Sequence, residues 1–165
     1  MIKIFSGVVL ICACTLLGNW FSMKLRRRTQ LLERFVVSIT KMKTLICFGG
    51  YDITYVLKEC FGSNVFPSVV EFDENTFENV SAMWKEFISD IPTSEGLTKT
   101  DRNVLCGFGK CLGVTDTQGQ INNCELYINL IEERLRDSRS DEISKCRLYR
   151  VLGFSLGSAV TLMVL

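Results

Sequence analysis

Cysteine is the most promising candidate for a chemically active residue in this 165-residue sequence, because it occurs eight times while histidine does not occur at all. A thiolate is both a nucleophile and a metal ligand. Without histidine, however, the chain alone can build neither a Ser-His-Asp nor a Cys-His mechanism. Zinc sites usually combine two close cysteine pairs, and only Cys106 and Cys111 come near that spacing, so we predict no metal site. We interpret the cysteines as small, partly buried core residues: Cys12, Cys14, Cys47, Cys60, Cys106, Cys111, Cys124 and Cys146.

The remaining candidates for chemistry are acidic pairs and glycines. The acidic pairs at 132–133 and 141–142 fall on the polar faces of predicted helices, so we interpret them as solvated charges and not as catalytic acids. The sequence contains no phosphate-binding glycine loop of the P-loop or dinucleotide type. Gly107 and Gly109 lie inside a helical pattern and are predicted to permit close packing. We therefore predict that the protein is not an enzyme and that it has no cofactor, no small-molecule substrate and no nucleic-acid partner.

Residues 4–23 form an apolar segment without a charged side chain. As a helix this segment would be about 30 Å long, which matches the hydrocarbon core of a bilayer. Four basic residues follow it and would retain that flank in the cytoplasm: Lys24, Arg26, Arg27 and Arg28. We therefore predict an uncleaved N-terminal transmembrane helix, residues 1–23. The alternative is the cleaved signal peptide of a secreted helical protein, although no convincing small-x-small cleavage site follows the apolar run.

Residues 151–165 form a second uncharged segment, which is preceded by Lys145, Arg147 and Arg150. This segment would give about 22 Å of helix, short for a span unless Arg150 snorkels to the interface. The alternative is a core helix of a soluble domain. Both sets of basic residues agree on one topology, with residues 24–150 in the cytoplasm and both termini outside. A reducing cytoplasm disfavours the disulfide scaffold that eight cysteines otherwise leave open.

Helical periodicity dominates residues 24–150, whereas strand signals are sparse. Apolar residues recur at three- and four-residue steps and predict one buried face on each helix. These positions are Leu31, Phe35, Ile39, Met42 and Ile46 in the first helix, Ile53, Val56, Leu57 and Cys60 in the second, Phe77, Val80, Trp84, Phe87 and Ile88 in the third, Val104, Leu105, Phe108 and Leu112 in the fourth, and Ile121, Cys124, Ile128, Ile131 and Leu135 in the fifth.

Local signals predict where these helices begin and end. The first should end at the glycine pair 49–50, the second should cover about 51–60, and the third should stop before Pro92. Asp73 or Asn75 would cap the third helix, and Thr98 with Asp101 resembles a capping box for the fourth. The fifth is predicted to run from residue 117 into the C-terminal segment, with serines 138, 140 and 144 as candidates for a hinge.

Charge is unevenly distributed along the middle of the chain. Residues 24–51 contain seven basic side chains and one acidic, whereas residues 52–101 contain three basic and ten acidic. We interpret the first block as partly in contact with anionic lipid head groups. The second is either a solvated face or a surface for a basic partner.

One constellation stands out between the fourth and fifth helices, at residues 112–120. Gly113 suits the left-handed position that ends a helix, Asp116 suits the N-cap of the next, and Gln120 lies one turn further on the same face. The pattern predicts a tight helix-to-helix turn. A docking surface built on this turn is compatible with that structure.

The sequence resembles the stage III sporulation protein AB family of spore-forming bacteria over essentially its whole length. That family shows L-G-x-x-D-x-x-x-Q between two helices, which is matched by Leu112, Gly113, Asp116 and Gln120. It also shows an arginine-rich stretch after an N-terminal membrane helix, matched by residues 26–28. Near its C-terminus it has L-G-F opening an apolar segment, matched by Leu152, Gly153 and Phe154.

The resemblance implies a non-enzymatic role in endospore formation. Members of the family belong to a channel that joins the mother cell to the forespore, and they are similar to inner-membrane platform proteins of type II secretion and type IV pilus systems. The implied partners are a secretion-type ATPase and other stage III sporulation channel proteins. The implied location is the mother-cell or outer forespore membrane. This sequence departs from the family where acidic residues often end the first cytoplasmic helix, because residues 41–45 read Lys-Met-Lys-Thr-Leu.

Taken together, these features predict an all-α protein with a cytoplasmic helical domain, residues 24–150, between transmembrane segments at 1–23 and 151–165. Partner binding is assigned to Gly113, Asp116 and Gln120. The bilayer is met by the flanking basic residues Lys24, Arg26, Arg27, Arg28, Arg147 and Arg150. The alternatives are a membrane-tethered helical adaptor unrelated to secretion, a secreted helical protein, and a membrane-bound enzyme using cysteine or carboxylate chemistry.

Overall fold

The computed structural model describes residues 2–62, 66 and 80–164, and among these it does not describe the side chains of 2–15, 17–19, 21, 149–150, 152–154 and 156–164. The described residues form α-helices and one short 3-10 turn at Thr93–Glu95. The helices are α1 (Ile2–Gly49), α2 (Ile53–Phe61), α3 (Val80–Asp90), α4 (Lys99–Gly109) and α5 (Thr117–Val164). The prediction of an all-α fold is confirmed.

The chain divides into two compact units, and α1 and α5 contribute to both. The terminal unit consists of Met1–Thr29 and Asp137–Leu165. The central unit is Gln30–Arg136 and contains α2, α3 and α4. Because α5 is one continuous helix from Thr117 to Val164, the prediction of an unbroken last helix is confirmed.

Aromatic rings fill the core of the central unit. Phe35 of α1 lies 4.6 Å from Phe66 between ring centroids, and Trp84 of α3 lies 4.8 Å from Phe61 and 5.2 Å from Phe108. Each fully buried side chain of this size contributes about 2–3 kcal/mol through loss of water-exposed apolar surface. Every predicted core position that the structure describes is buried or half-buried. Phe77 lies outside the described residues.

Local capping starts α4 as the sequence predicts. Thr98 Oγ1 accepts a hydrogen bond from the Asp101 backbone N–H at 3.1 Å, and Asp101 Oδ2 accepts one from the Thr98 backbone N–H at 2.9 Å. This reciprocal capping box satisfies two amide groups that have no partner within the helix. The predicted caps of α3, Asp73 and Asn75, lie outside the described residues.

Two predicted helix boundaries were wrong. The second helix begins at Ile53 and not at Tyr51, because Asp52 holds the extended conformation of an N-cap. The fourth ends at Gly109 and does not reach Leu112. From there the backbone tightens, since the amides of residues 110–112 bond to carbonyls three residues earlier at 3.2–3.4 Å. Such 3-10 bonds are common where a helix ends, and the flexible Gly109 favours an end at this point.

In the terminal unit, α1 and α5 run antiparallel and contact each other through polar groups. The hydroxyl oxygens of Thr29 and Ser138 lie 3.0 Å apart in a buried hydrogen bond. Further along the pair, Cys146 Sγ donates to the Ser22 carbonyl at 3.7 Å. A buried hydroxyl without a partner would cost about 1–3 kcal/mol, so these contacts fix how the two helices are aligned.

Within the part of the chain that is described, no helix is both long and apolar enough to cross a bilayer. The predicted spans, residues 1–23 and 151–165, consist mostly of residues whose side chains lie outside the described set.

Candidate partner-binding surface

The predicted turn between α4 and α5 is present. Gly113 has φ +74°, the left-handed conformation that glycine adopts without strain. Asp116 Oδ1 accepts a hydrogen bond from the Gly119 backbone N–H at 3.0 Å, and the Asp116 carbonyl accepts one from the Gln120 N–H at 2.9 Å. Asp116 is therefore the N-cap of α5, with its carboxylate at the positive end of the helix dipole.

Gln120 lies beneath this turn and supports it. Its side chain is only 5% exposed, and its Nε2 donates to the Cys111 carbonyl at 2.9 Å and to Thr115 Oγ1 at 3.0 Å. Its Oε1 is buried without a hydrogen-bond partner among the described residues. Of the three residues assigned to partner binding, Gly113 and Asp116 are exposed, whereas Gln120 fixes the conformation of the loop that they belong to.

Val114 is the most exposed apolar side chain of the turn, at 75%. The turn also lies beside the start of α2, because a Cβ added to Gly113 would be 3.9 Å from Ile53 Cγ2. Two aromatic residues flank Ile53 in sequence and are both exposed, Tyr51 and Tyr55, with ring centroids 5.1 Å apart.

A third exposed aromatic residue extends this surface to the end of α1. Phe48 is 86% exposed, and the neighbouring Gly49 lies directly against the ring of Tyr51. We name the set Phe48, Tyr51, Tyr55 and Val114 the turn patch. Clustered exposed apolar side chains on a folded unit commonly mark interaction sites. Sequence reasoning missed Phe48, Tyr51 and Tyr55, although three aromatic residues around a glycine pair were a signal that the sequence offered.

Two glycines of α4 allow neighbouring helices to pack closely. A Cβ added to Gly109 would lie 2.1 Å from Trp84 Cδ1, and one added to Gly107 would lie 2.7 Å from the Tyr127 hydroxyl oxygen. The prediction that these glycines permit close packing is confirmed. Trp84 is held in place because its indole N–H donates to the Leu105 carbonyl at 2.7 Å.

The lysines that depart from the family pattern pair within the molecule. Lys41 Nζ lies 2.6 Å from Glu59 Oε1 on α2, and Lys43 Nζ lies 2.9 Å from Glu125 Oε1 on α5. These hydrogen bonds raise the pKa of both ammonium groups. Because both pairs are exposed, they stabilise the fold little. They do show that this end of α1 uses its charges to contact α2 and α5.

The described cysteines are free thiols. The interpretation as partly buried core residues is confirmed for Cys60, Cys106 and Cys124, and Cys111 and Cys146 are likewise half-buried or buried. The side chains of Cys12 and Cys14 lie outside the described residues. Burial raises the pKa of the Cys60 thiol to about 11 and that of Cys124 to about 12, so both are protonated and unreactive near neutral pH. Cys47 is exposed, contrary to that interpretation. In the described part of the chain no three metal-ligating side chains come together.

The basic residues after the N-terminal apolar segment fall into two groups. Arg26 Nε lies 3.6 Å from Glu142 Oε1, and the buried Arg28 lies 3.6 Å from Asp141 Oδ2, so both connect α1 to α5 within the terminal unit. Lys24 and Arg27 are exposed, as is Arg147 on α5. The side chain of Arg150 lies outside the described residues.

Comparison with known proteins gives a match over nearly the full sequence. The family model for stage III sporulation protein AB matches residues 3–165. The chain is similar to the stage III sporulation protein AB of Bacillus subtilis (strain 168), with 18% identity over 171 residues that cover 100% of both chains. No solved structure matches the chain. Because the family model spans almost every residue, the chain belongs to the stage III sporulation protein AB family, a family of sporulation proteins.

Proposed function

We propose that this protein is a non-enzymatic assembly platform of the sporulating cell, tethered to one membrane by both of its terminal segments. In this proposal residues 24–150 face the cytoplasm at the mother-cell or outer forespore membrane. The turn patch docks a secretion-type ATPase that belongs to a channel between mother cell and forespore. Other stage III sporulation proteins complete that assembly.

Sequence features support the membrane tether. Residues 4–23 and 151–165 lack charged side chains, and both segments have basic residues on the flank assigned to the cytoplasm. A chain anchored at both ends holds the domain between them close to the membrane. That arrangement suits a protein whose task is to position a soluble partner.

The turn patch is the single observation that carries the docking proposal. Its four apolar side chains are exposed: Phe48, Tyr51, Tyr55 and Val114. Val114 belongs to the turn on which the family motif falls, and Gly113 of that turn approaches Ile53, which lies between the two tyrosines in sequence. Aromatic residues are enriched where partner proteins bind, because they bury much area at a low cost in side-chain entropy.

The continuity of α5 supports a way to transmit force. This helix begins at the Asp116 cap and continues without interruption to Val164, a length of about 70 Å. A partner that pushes on the turn would therefore act on the helix that continues into the C-terminal apolar segment. ATP-driven motion at the turn patch would reach the membrane segment through α5.

The test is recovery of the ATPase from membranes of sporulating cells with a tagged full-length protein in mild detergent. Val114→Asp places a charge in the turn patch, and we expect at least a tenfold loss of recovered ATPase, since burying an unpaired carboxylate in an interface costs more than about 1.4 kcal/mol. Asp116→Ala should lower recovery and spore yield as well, because it removes the cap that orders the turn.

Val37→Asp is the matched control, because Val37 has the same side chain, is 67% exposed and lies on α1 outside the turn patch. We expect it to recover the ATPase as the unmodified protein does. Equal recovery with Val114→Asp and Val37→Asp, in proteins that fold normally, would refute docking through the turn patch. Recovery of the tagged protein alone in good yield would refute a stable platform complex.

A further inference from the structure

The exposed face of α1 in the terminal unit changes abruptly from apolar to basic. Leu16 and Trp20 are exposed, the latter at 64%, and they are followed on the same face by Lys24 and Arg27. Steps of four, four and three residues keep these side chains aligned along one side of a helix. Lys24 lies about 6 Å and Arg27 about 10 Å along the axis from Trp20.

On α5 the exposed apolar residues Val151 and Leu148 adjoin the exposed cation Arg147. The exposed Ile143 lies one turn beyond Arg147 toward the start of the helix. Because α1 and α5 are antiparallel, the apolar part of each helix lies at the same end of the pair.

Two contacts give the alignment of α1 with α5: Ser22 bonds to Cys146, and Arg26 pairs with Glu142. Moving four residues toward the start of α1 therefore moves the contact four residues toward the end of α5. Trp20 then falls opposite Leu148, at the boundary on both helices. Tryptophan is enriched at membrane–water interfaces, where its ring meets the head groups.

The basic side chains at this boundary differ in whether they form ion pairs. Arg26 is paired with Glu142, and Arg28 is buried beside Asp141. Lys24, Arg27 and Arg147 are exposed and form no ion pair with any residue that the structure describes. Their stems are long enough to lie along apolar surface while their charged ends reach a head-group layer.

We propose that Lys24, Arg27 and Arg147 form a binding surface for the phosphate groups of anionic phospholipids, whereas Arg26 and Arg28 hold α1 and α5 in register. This inference rests on the membrane tether of the proposed function. An anionic lipid fits better than an acidic protein because the three cations adjoin an exposed apolar band on both helices. Polybasic segments next to a membrane bind anionic head groups in this way.

Quenching of Trp20 by brominated lipid tests the proposal. The full-length protein is reconstituted into phosphatidylcholine vesicles that contain brominated phosphatidylglycerol or brominated phosphatidylcholine. Trp84 is completely buried in the central unit and supplies a constant background. We expect phosphatidylglycerol to bind beside Trp20 about fivefold or more tightly than phosphatidylcholine, with the preference reduced at high salt.

A triple variant with Lys24→Gln, Arg27→Gln and Arg147→Gln should lose this preference. The matched control removes three exposed lysines of the central unit and should keep it: Lys85→Gln, Lys99→Gln and Lys110→Gln. Equal quenching of the unmodified protein by both lipids would overturn the head-group surface and leave the membrane tether intact. Absence of quenching by either lipid would instead refute the tether, and with it the inference.

Discussion

Gly109→Ala should destabilise the central unit strongly, although alanine is a better helix former than glycine. The added Cβ would lie 2.1 Å from Cδ1 and 2.6 Å from Cγ of Trp84, so it would meet the body of the indole and not a flexible tip. Trp84 is fully buried and contacts the rings of Phe61 and Phe108, so it has nowhere to move without displacing them.

Three effects set the size of this loss. Overpacking a dense core costs about 1–3 kcal/mol. Displacing Trp84 also weakens its hydrogen bond to the Leu105 carbonyl, which is 2.7 Å long and buried, at a further cost of about 1–2 kcal/mol. The gain in helix propensity is at most about 1 kcal/mol, and it is smaller here because Gly109 is the last residue of α4. We therefore expect a net loss of about 2–4 kcal/mol in the free energy of unfolding.

Urea unfolding of the full-length protein in mild detergent, followed by tryptophan fluorescence, measures this loss. Gly107→Ala is the matched control, since it makes the same change two residues earlier in the same helix. Its Cβ would meet the hydroxyl end of the half-buried Tyr127, which can move away, and it gains more propensity in the helix interior, so its effect should stay within about 1 kcal/mol of zero. Equal effects of the two substitutions would refute the argument from Trp84.

Two further predictions concern the helix cap and the thiols. Thr98→Ala should lower the free energy of unfolding by about 1 kcal/mol through loss of the capping box. Thr100 is exposed and is not part of the capping box, so Thr100→Ala should change the free energy of unfolding by less than about 0.5 kcal/mol in the same urea titration. Maleimide labelling at pH 8, read by peptide mass spectrometry, should modify Cys47 quickly and spare Cys60 and Cys124 until the protein unfolds; rapid labelling of Cys124 would contradict its burial. Because the folded-state pKa values of these two thiols are raised, their contribution to stability is retained at neutral pH and lost as the pH rises toward 11–12.

Much of the secondary structure could be predicted because its signals are local. The Thr98–Asp101 capping box, the left-handed Gly113 and the Asp116 cap each depend on atoms within a few residues along the chain. Helical periodicity likewise identified the buried faces, since an apolar stripe at three- and four-residue spacing can be covered only on one side. The turn between α4 and α5 was therefore evident before any tertiary contact was known.

The pairing of the polar residues depends on helices that are distant in sequence. Lys43 pairs with Glu125, 82 residues away, and Thr29 bonds to Ser138, 109 residues away. From the sequence, the basic residues after the N-terminal segment were predicted to act as one group. In the structure Arg26 and Arg28 form ion pairs with α5, whereas Arg27 is exposed.

The candidate site divides in the same way between local and distant causes. The turn and the Asp116 cap could be predicted from the local sequence, because both follow from hydrogen bonding within one helix end. Local sequence does not predict that Gln120 is buried or that Gly113 lies beside Ile53 of α2. Whether a side chain is covered depends on which distant segment packs over it, and that is settled only when the helices come together.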